Sequence, residues 1–161
     1  MTITTTVVER EREPRGVPLS ESVTDEDVQF WLSPENLESK STRVFAGFEI
    51  TDSIDGAESD HREVSLVRLL ESQVYPQHVH RGSDTLFIIV EGEAILLSGR
   101  RRIPIKAGAR ISVPRGMPHG FELHRGVTCK FISIQQPPIR DRHTGEEDLD
   151  VIDEPTLISL V

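Results

Sequence analysis

Two hydrophobic periods divide the chain. In TDEDVQFWLSPENL, which begins at Thr24, Val28, Trp31 and Leu32 stand three and four positions apart, the spacing that lines one face of a helix. Thr24 is a candidate N-cap followed by acids in the first turn, so the pattern predicts one short helix that breaks at or before Pro34. Beyond residue 41 the period falls to two. TRVFAGFEI and REVSLVRLL read as strands separated by the polar turn TDSIDGAESD, and TLFIIV, EAILLS, RIPIKAG, RISVP, HGFEL and VTCKFISIQ follow at short, regular spacing. Gly92, Gly99, Gly108, Gly116 and Gly126 fall between them, where chain reversal costs least. Many short strands with glycine turns predict an all-β sandwich or barrel.

The two ends follow neither period. Met1 to about Thr24 is polar, with charges of alternating sign in EREREPRG, and reads as an extended arm that is a candidate for ordering against a partner subunit. From Gln136 onward seven acids face two basic residues, and Pro137 and Pro138 stop continued strand pairing. The final TLISLV is apolar enough to dock as an edge strand. The chain thus divides into an N-terminal arm (1–24), a short helix and linker (25–40), a β-barrel (41–136) and an acidic C-terminal tail (137–161). No repeat at solenoid spacing interrupts this order.

Composition narrows the partners. A length of 161 residues with 36% hydrophobic content suits one core with tails outside it. The balance of 18 basic against 27 acidic residues, a formal charge of -9, argues against nucleic acid. With one cysteine, Cys129, neither an intrachain disulfide nor a thiolate metal cluster can form, which fits a reducing, cytoplasmic compartment. Cys129 lies in a core strand and reads as a buried, inert thiol. Neither a signal-peptide pattern nor a membrane-length apolar run is present, so no membrane partner is expected.

Candidate chemistry is concentrated in YPQHVHRGSDTLFIIVEGEAIL, Tyr75 to Leu96. His78 and His80 share a strand face because side chains alternate across a strand, so both can grip one ion. In GARISVPRGMPHGFEL, Pro114 and Gly116 make a turn and His119 opens the next strand. If the strands close into a barrel, that turn brings His119 opposite the pair, and three neutral imidazoles leave open positions on a divalent ion. His61, His124 and His143 lack partner spacing and read as surface or loop residues.

These two stretches resemble the motifs of the cupin family, G(X)5HXH(X)3-4E(X)6G and G(X)5PXG(X)2H(X)3N. His78, His80 and Gly92 match the first, and Gly108, Pro114, Gly116 and His119 the second. The resemblance spans roughly residues 62 to 135 and implies a single cupin β-barrel of the jelly-roll type, a metal in its mouth and a homodimer. Three positions depart from the pattern. The family's glutamate ligand falls on Thr85, with Asp84 one residue earlier; the closing asparagine falls on Leu123; and the opening glycine is missing from ESQVYPQ. Asp84 and Thr85 are the candidates for a fourth ligand. The spacing from Thr85 to Gly92 keeps Thr85 in register and favours a site of three histidines alone, since a threonine offers only a neutral hydroxyl.

By the parity of the strands, Phe87, Ile89, Phe121 and Leu123 point inward and make the pocket apolar. Tyr75 and Arg81 flank the histidines and are the candidate catalytic residues. The arginines of SGRRRIP read as a solvated turn. The expected function is a metal-dependent enzyme acting on a small organic anion. Fe(II) would support dioxygenase chemistry, whereas Zn, Ni or Mn would serve as Lewis acid for a lyase, isomerase or cyclase; Fe(II) and Zn lead the list. The alternative is a non-catalytic small-ligand-binding or sensing module; the lack of an accompanying DNA-binding segment counts against a transcription regulator. A metal-free sugar-phosphate or nucleotide-sugar epimerase fits less well with the histidine triad, because such a site needs a base and an acid more than an ion.

Overall fold

The computed structural model describes residues 3–6, 19–56, 61–140, 144 and 146–152. A 3-10 turn, Leu19–Glu21, leads into helix α1, Asp25–Trp31. Thr24 caps it in both directions: Asp27 N–H donates to Thr24 Oγ1 at 3.1 Å, and Thr24 N–H donates to the Asp27 carboxylate at 2.9 Å. The helix ends before Pro34, as the sequence predicts, but a second short helix, α2, Pro34–Glu38, starts there at once. Proline is tolerated in the first turn because its missing N–H would have no helical partner, and Ser33 supplies the new cap.

The strands are β1 Ile3–Thr6, β2 Thr42–Phe45, β3 Phe48–Thr51, β4 Glu63–Leu69, β5 Val74–Val79, β6 Asp84–Ser98, β7 Arg101–Lys106, β8 Ala109–Val113, β9 His119–Glu122, β10 Cys129–Gln136 and β11 Asp150–Val151. They form one curled sheet in the order β11-β5-β9-β6-β10-β4-β3-β2, with β7 and β8 also paired to β6 and β1 parallel to β8. The all-β barrel with a short helical segment is therefore the observed fold. Of the N-terminal arm, Ile3–Thr6 forms a strand on β8. The C-terminal TLISLV lies outside the described residues.

Two strand boundaries differ from the sequence reading, each for a backbone reason. TRVFAGFEI is a hairpin, not one strand, because Ala46 and Gly47 adopt φ of 51° and 85° and reverse the chain between β2 and β3. TLFIIV and EAILLS, in contrast, belong to a single strand. Gly92, at φ 75°, bends β6 without reversing it. Its first half pairs with β8 and β10 and its second half with β7 and β9, so one strand serves both halves of the barrel. Only glycine fits at the bend, since a Cβ there would lie 1.8 Å from the Thr128 carbonyl oxygen.

Alternation along these strands separates two apolar clusters. Val64 and Leu66, Leu86 and Ile88, Ile132 and Ile134 face outward, where Val23, Trp31 and Ile54 cover them together with Val28, Leu32 and Leu37. Each fully buried branched side chain contributes roughly 1.5–3 kcal/mol, so the helical segment is bound to the barrel wall by burial. Arg110 adds polar anchors to Val23 O at 2.6 Å and Asp25 at 3.1 Å. The alternate positions, Val67, Phe87, Ile89, Ile111, Phe121 and Phe131 among them, fill the inside.

Candidate metal centre

Register sets the histidines together. His78 on β5 lies directly opposite His119 on β9, and His80 follows one residue past the end of β5. One nitrogen from each ring falls within 4.8 Å of the other two. The ring centroids are 4.2 Å apart for His78 and His119, 4.9 Å for His78 and His80, and 5.0 Å for His80 and His119.

Each ring uses its Nδ1 on a backbone carbonyl. His80 Nδ1 lies 2.5 Å from Asp148 O, His119 Nδ1 3.1 Å from Met117 O, and His78 Nδ1 3.3 Å from Pro76 O. A carbonyl can only accept, so each Nδ1 carries the hydrogen and each Nε2 keeps a free lone pair. Burial lowers the pKa of all three and the neighbouring imidazoles lower those of His78 and His119 as well, leaving His78 at about 4. The donor set is therefore three neutral imidazoles with fixed tautomers, the arrangement that suits a divalent transition metal.

The two candidate fourth ligands are separated by parity. Asp84 accepts the Arg115 N–H at 2.9 Å, and its carboxylate also meets the Arg115 guanidinium at 3.3 Å. Thr85 faces inward at 2% exposure, and among the described residues its hydroxyl has no hydrogen-bond partner. The carboxylate nearest the family's ligand position is thus committed to an arginine, and the ligand position itself holds a neutral, unbonded hydroxyl.

A family model described as Cupin domain matches residues 65–135. The chain carries a cupin domain. Similar solved structures include the polyketide cyclase RemF from Streptomyces resistomycificus, 20% identical with a TM-score of 0.59, covering 77% of this chain and 94% of RemF. Another is the nucleoside dehydratase Pac13 from Streptomyces, 14% identical with a TM-score of 0.58 over 72% of this chain and 87% of Pac13. KdgF from Halomonas sp. is 17% identical with a TM-score of 0.53, over 64% and 89%. No curated protein matches the chain by sequence.

Within the cupin barrel the other residues singled out in the sequence take varied places. Phe87, Ile89, Phe121 and Leu123 are all buried inside, and Phe87 meets His119 edge-on at 5.7 Å. Phe87, Phe121 and Phe131 pack on one another at 4.9–5.3 Å and close the barrel beneath the histidines. Tyr75 is buried with them, but its hydroxyl is taken up by backbone: it accepts from Glu71 N–H at 3.0 Å and lies 2.9 Å from Glu71 O and 3.0 Å from Gly47 O. Arg81 is exposed and paired with Asp150 at 2.6 Å. The structure thus gives Tyr75 a tethering position and Arg81 a surface one. His61 is exposed, His124 bonds Glu122 at 2.8 Å, and His143 lies outside the described residues. Burial pushes the Cys129 thiol up to about 12, consistent with an inert group.

Two features of the cupin site are absent from the sequence reading. The first is the acidic segment around Asp148, which returns along the histidine strand: Asp150 and Val151 pair with Val79 and His78. The Asp148 carboxylate accepts from Arg81 N–H at 2.8 Å and Gly82 N–H at 2.7 Å while its carbonyl bonds His80. The second is a polar row on the inner face formed by Glu63, Ser65, Ser133, Gln135 and Thr85. Its signal lay in strand parity, since Ser65 shares a face with Val67, and Ser133 and Gln135 share one with Phe131. Among the described residues no helix is long and apolar enough to cross a membrane.

Proposed function

We propose that this cupin is a metal-dependent enzyme that acts on a small organic anion by Lewis-acid chemistry, as a lyase, dehydratase or cyclase. The observation that carries the reading is the set of three neutral imidazoles whose Nδ1 atoms are all held by carbonyls. His78, His80 and His119 would hold one divalent ion, with Fe(II), Zn, Ni and Mn all compatible with imidazole. When bound, such an ion supplies polarisation of a substrate oxygen and stabilises an enolate or alkoxide. The chain adds no carboxylate at Thr85, so the charge of the substrate itself balances the site. Asp148, Met117 and Pro76 hold the rings in place, and the aromatic floor of Phe87, Phe121 and Phe131 excludes water from below. RemF is a polyketide cyclase and Pac13 a nucleoside dehydratase, and cyclisation and dehydration involve no net redox change, which supports this branch over a dioxygenase.

Elemental analysis of protein purified without added metal, beside His78→Ala and His119→Ala variants, tests the reading. About one transition metal per chain, lost in both variants, is the expected result. Iron together with substrate-dependent O₂ uptake would replace the Lewis-acid branch with oxygenase chemistry. Failure to bind any divalent ion on titration would leave the ligand-binding module instead.

A further inference from the structure

The inside of the barrel is not uniformly apolar. Cross-strand register aligns Glu63 with Gln135, and Gln135 with Thr85, while Ser65 stands opposite Ser133 and Ser133 opposite Phe87. Phe87 is the residue that touches His119, so this polar row lies at the histidine end of the barrel. One step further along the same strands the face turns wholly apolar, with Val67, Phe131 and Ile89.

Four members of the row are nearly sealed: Thr85 is 2% exposed, Ser133 5%, Ser65 6% and Gln135 8%. Some of their polar atoms satisfy one another. Gln135 Nε2 donates to Ser133 Oγ at 2.6 Å, and Ser65 Oγ reaches Asp52 at 3.5 Å. Among the described residues the Thr85 hydroxyl has no hydrogen-bond partner. Leaving a buried hydroxyl unbonded costs about 1–3 kcal/mol, and valine would fill the same volume without that cost. A polar face with one buried hydroxyl left open is suited to a ligand.

We propose that this row is the recognition wall of the three-histidine site, and that it takes an oxygen-rich ligand carrying a hydroxyl or carbonyl group beyond those that reach the metal, bonded by Thr85 and Glu63. The inference rests on the metal reading above and adds the class of ligand. Hydroxyls and a carboxamide can donate or accept, and a carboxylate accepts from hydroxyl groups, while the five side chains include no cation to favour phosphate. Glu63 is partly buried, and burial followed by the nearby Asp52 raises its pKa, with Glu147 adding to the effect and Arg43 and Arg140 opposing it. A carboxyl in that setting keeps its proton to higher pH than an exposed one.

The test uses the full chain loaded with Co(II), without oxygen, and two probes titrated against the cobalt spectrum: catechol, a chelating diol, and pyrogallol, which adds one hydroxyl. The wild-type protein is expected to bind pyrogallol about tenfold tighter than catechol, the value of one good hydrogen bond. Thr85→Val and Glu63→Leu should each reduce that preference to about twofold or less, with cobalt stoichiometry and catechol affinity retained. Equal affinities in the wild type, or a preference that survives both substitutions, would overturn the wall. Loss of cobalt in Thr85→Val would also overturn it, by assigning the hydroxyl to the metal. A wild-type chain that takes up no cobalt would instead sink the metal reading on which the wall rests.

Discussion

The Asp148 carbonyl lies 2.5 Å from Nδ1 of His80, across 68 residues of sequence. The same residue fixes the loop after His80 through two carboxylate bonds to the Arg81 and Gly82 N–H groups. A candidate ligand is therefore oriented by a segment that follows the last long strand of the barrel. Asp148→Ala removes the two charge-assisted bonds and frees the carbonyl to drift. Metal affinity is expected to fall about 10-fold to 100-fold, the usual cost of removing a group that orients a ligand, with the barrel still folded. Competition titration against a chromogenic chelator reads the affinity, and unchanged binding would remove Asp148 from the site.

Asp84 separates the three-histidine site from one with a carboxylate. Its side chain bonds Arg115 through both backbone and guanidinium, so Asp84→Ala should loosen the turn before His119 at a cost of about 1 kcal/mol. Metal stoichiometry should stay that of the wild type. A variant that folds normally and loses its metal would make Asp84 a ligand after all.

The histidines were legible because the chemistry is carried by residue type and spacing: two one residue apart on a strand, and a third after a proline-glycine turn. The all-β architecture was legible from alternation for the same reason. Asp148 was not, because what it gives His80 is a backbone carbonyl, which every residue possesses and no side-chain pattern announces. Glu63, Ser65, Ser133 and Gln135 could be assigned to one face by parity, yet their alignment with Thr85 exists only once β10 is registered between β4 and β6. The hairpin at Ala46 and Gly47 was hidden by apolar residues on both sides, Val44, Phe45 and Phe48, that continue a strand-like run through it. Gly92 shows the opposite ambiguity: a glycine between two apolar runs marks either a reversal or a bend, and the close approach of Thr128 decides for the bend.

The depressed histidines make the metal-free protein acid-sensitive. An unfolded imidazole takes up a proton near pH 6.5, whereas folded His78 does so at about 4. Below 6.5 the unfolded state binds more protons, so the stability present above that pH falls as the pH drops toward 4, by roughly 3 kcal/mol from His78 alone. His80 and His119 act in the same direction, while Glu63, whose pKa is raised, opposes them. Urea denaturation of the metal-free chain across this range should show the decline, and His78→Gln should flatten it. An unaltered slope in that variant would mean that His78 does not carry the effect.

Tyr75 tests whether a residue next to the candidate site acts on ligand or on the fold. Its ring packs 4.7 Å from Phe48, and its hydroxyl joins Glu71 to Gly47, tying the start of β5 to the β2–β3 hairpin. Tyr75→Phe keeps the ring and deletes those bonds, leaving the Glu71 N–H without its acceptor. The expected loss is about 1–3 kcal/mol, seen as a lower urea midpoint at unchanged slope. Metal content and pyrogallol affinity should match the wild type, because the hydroxyl is already occupied by backbone. Unchanged stability with weakened ligand binding would reverse the assignment and place Tyr75 among the groups that touch the ligand.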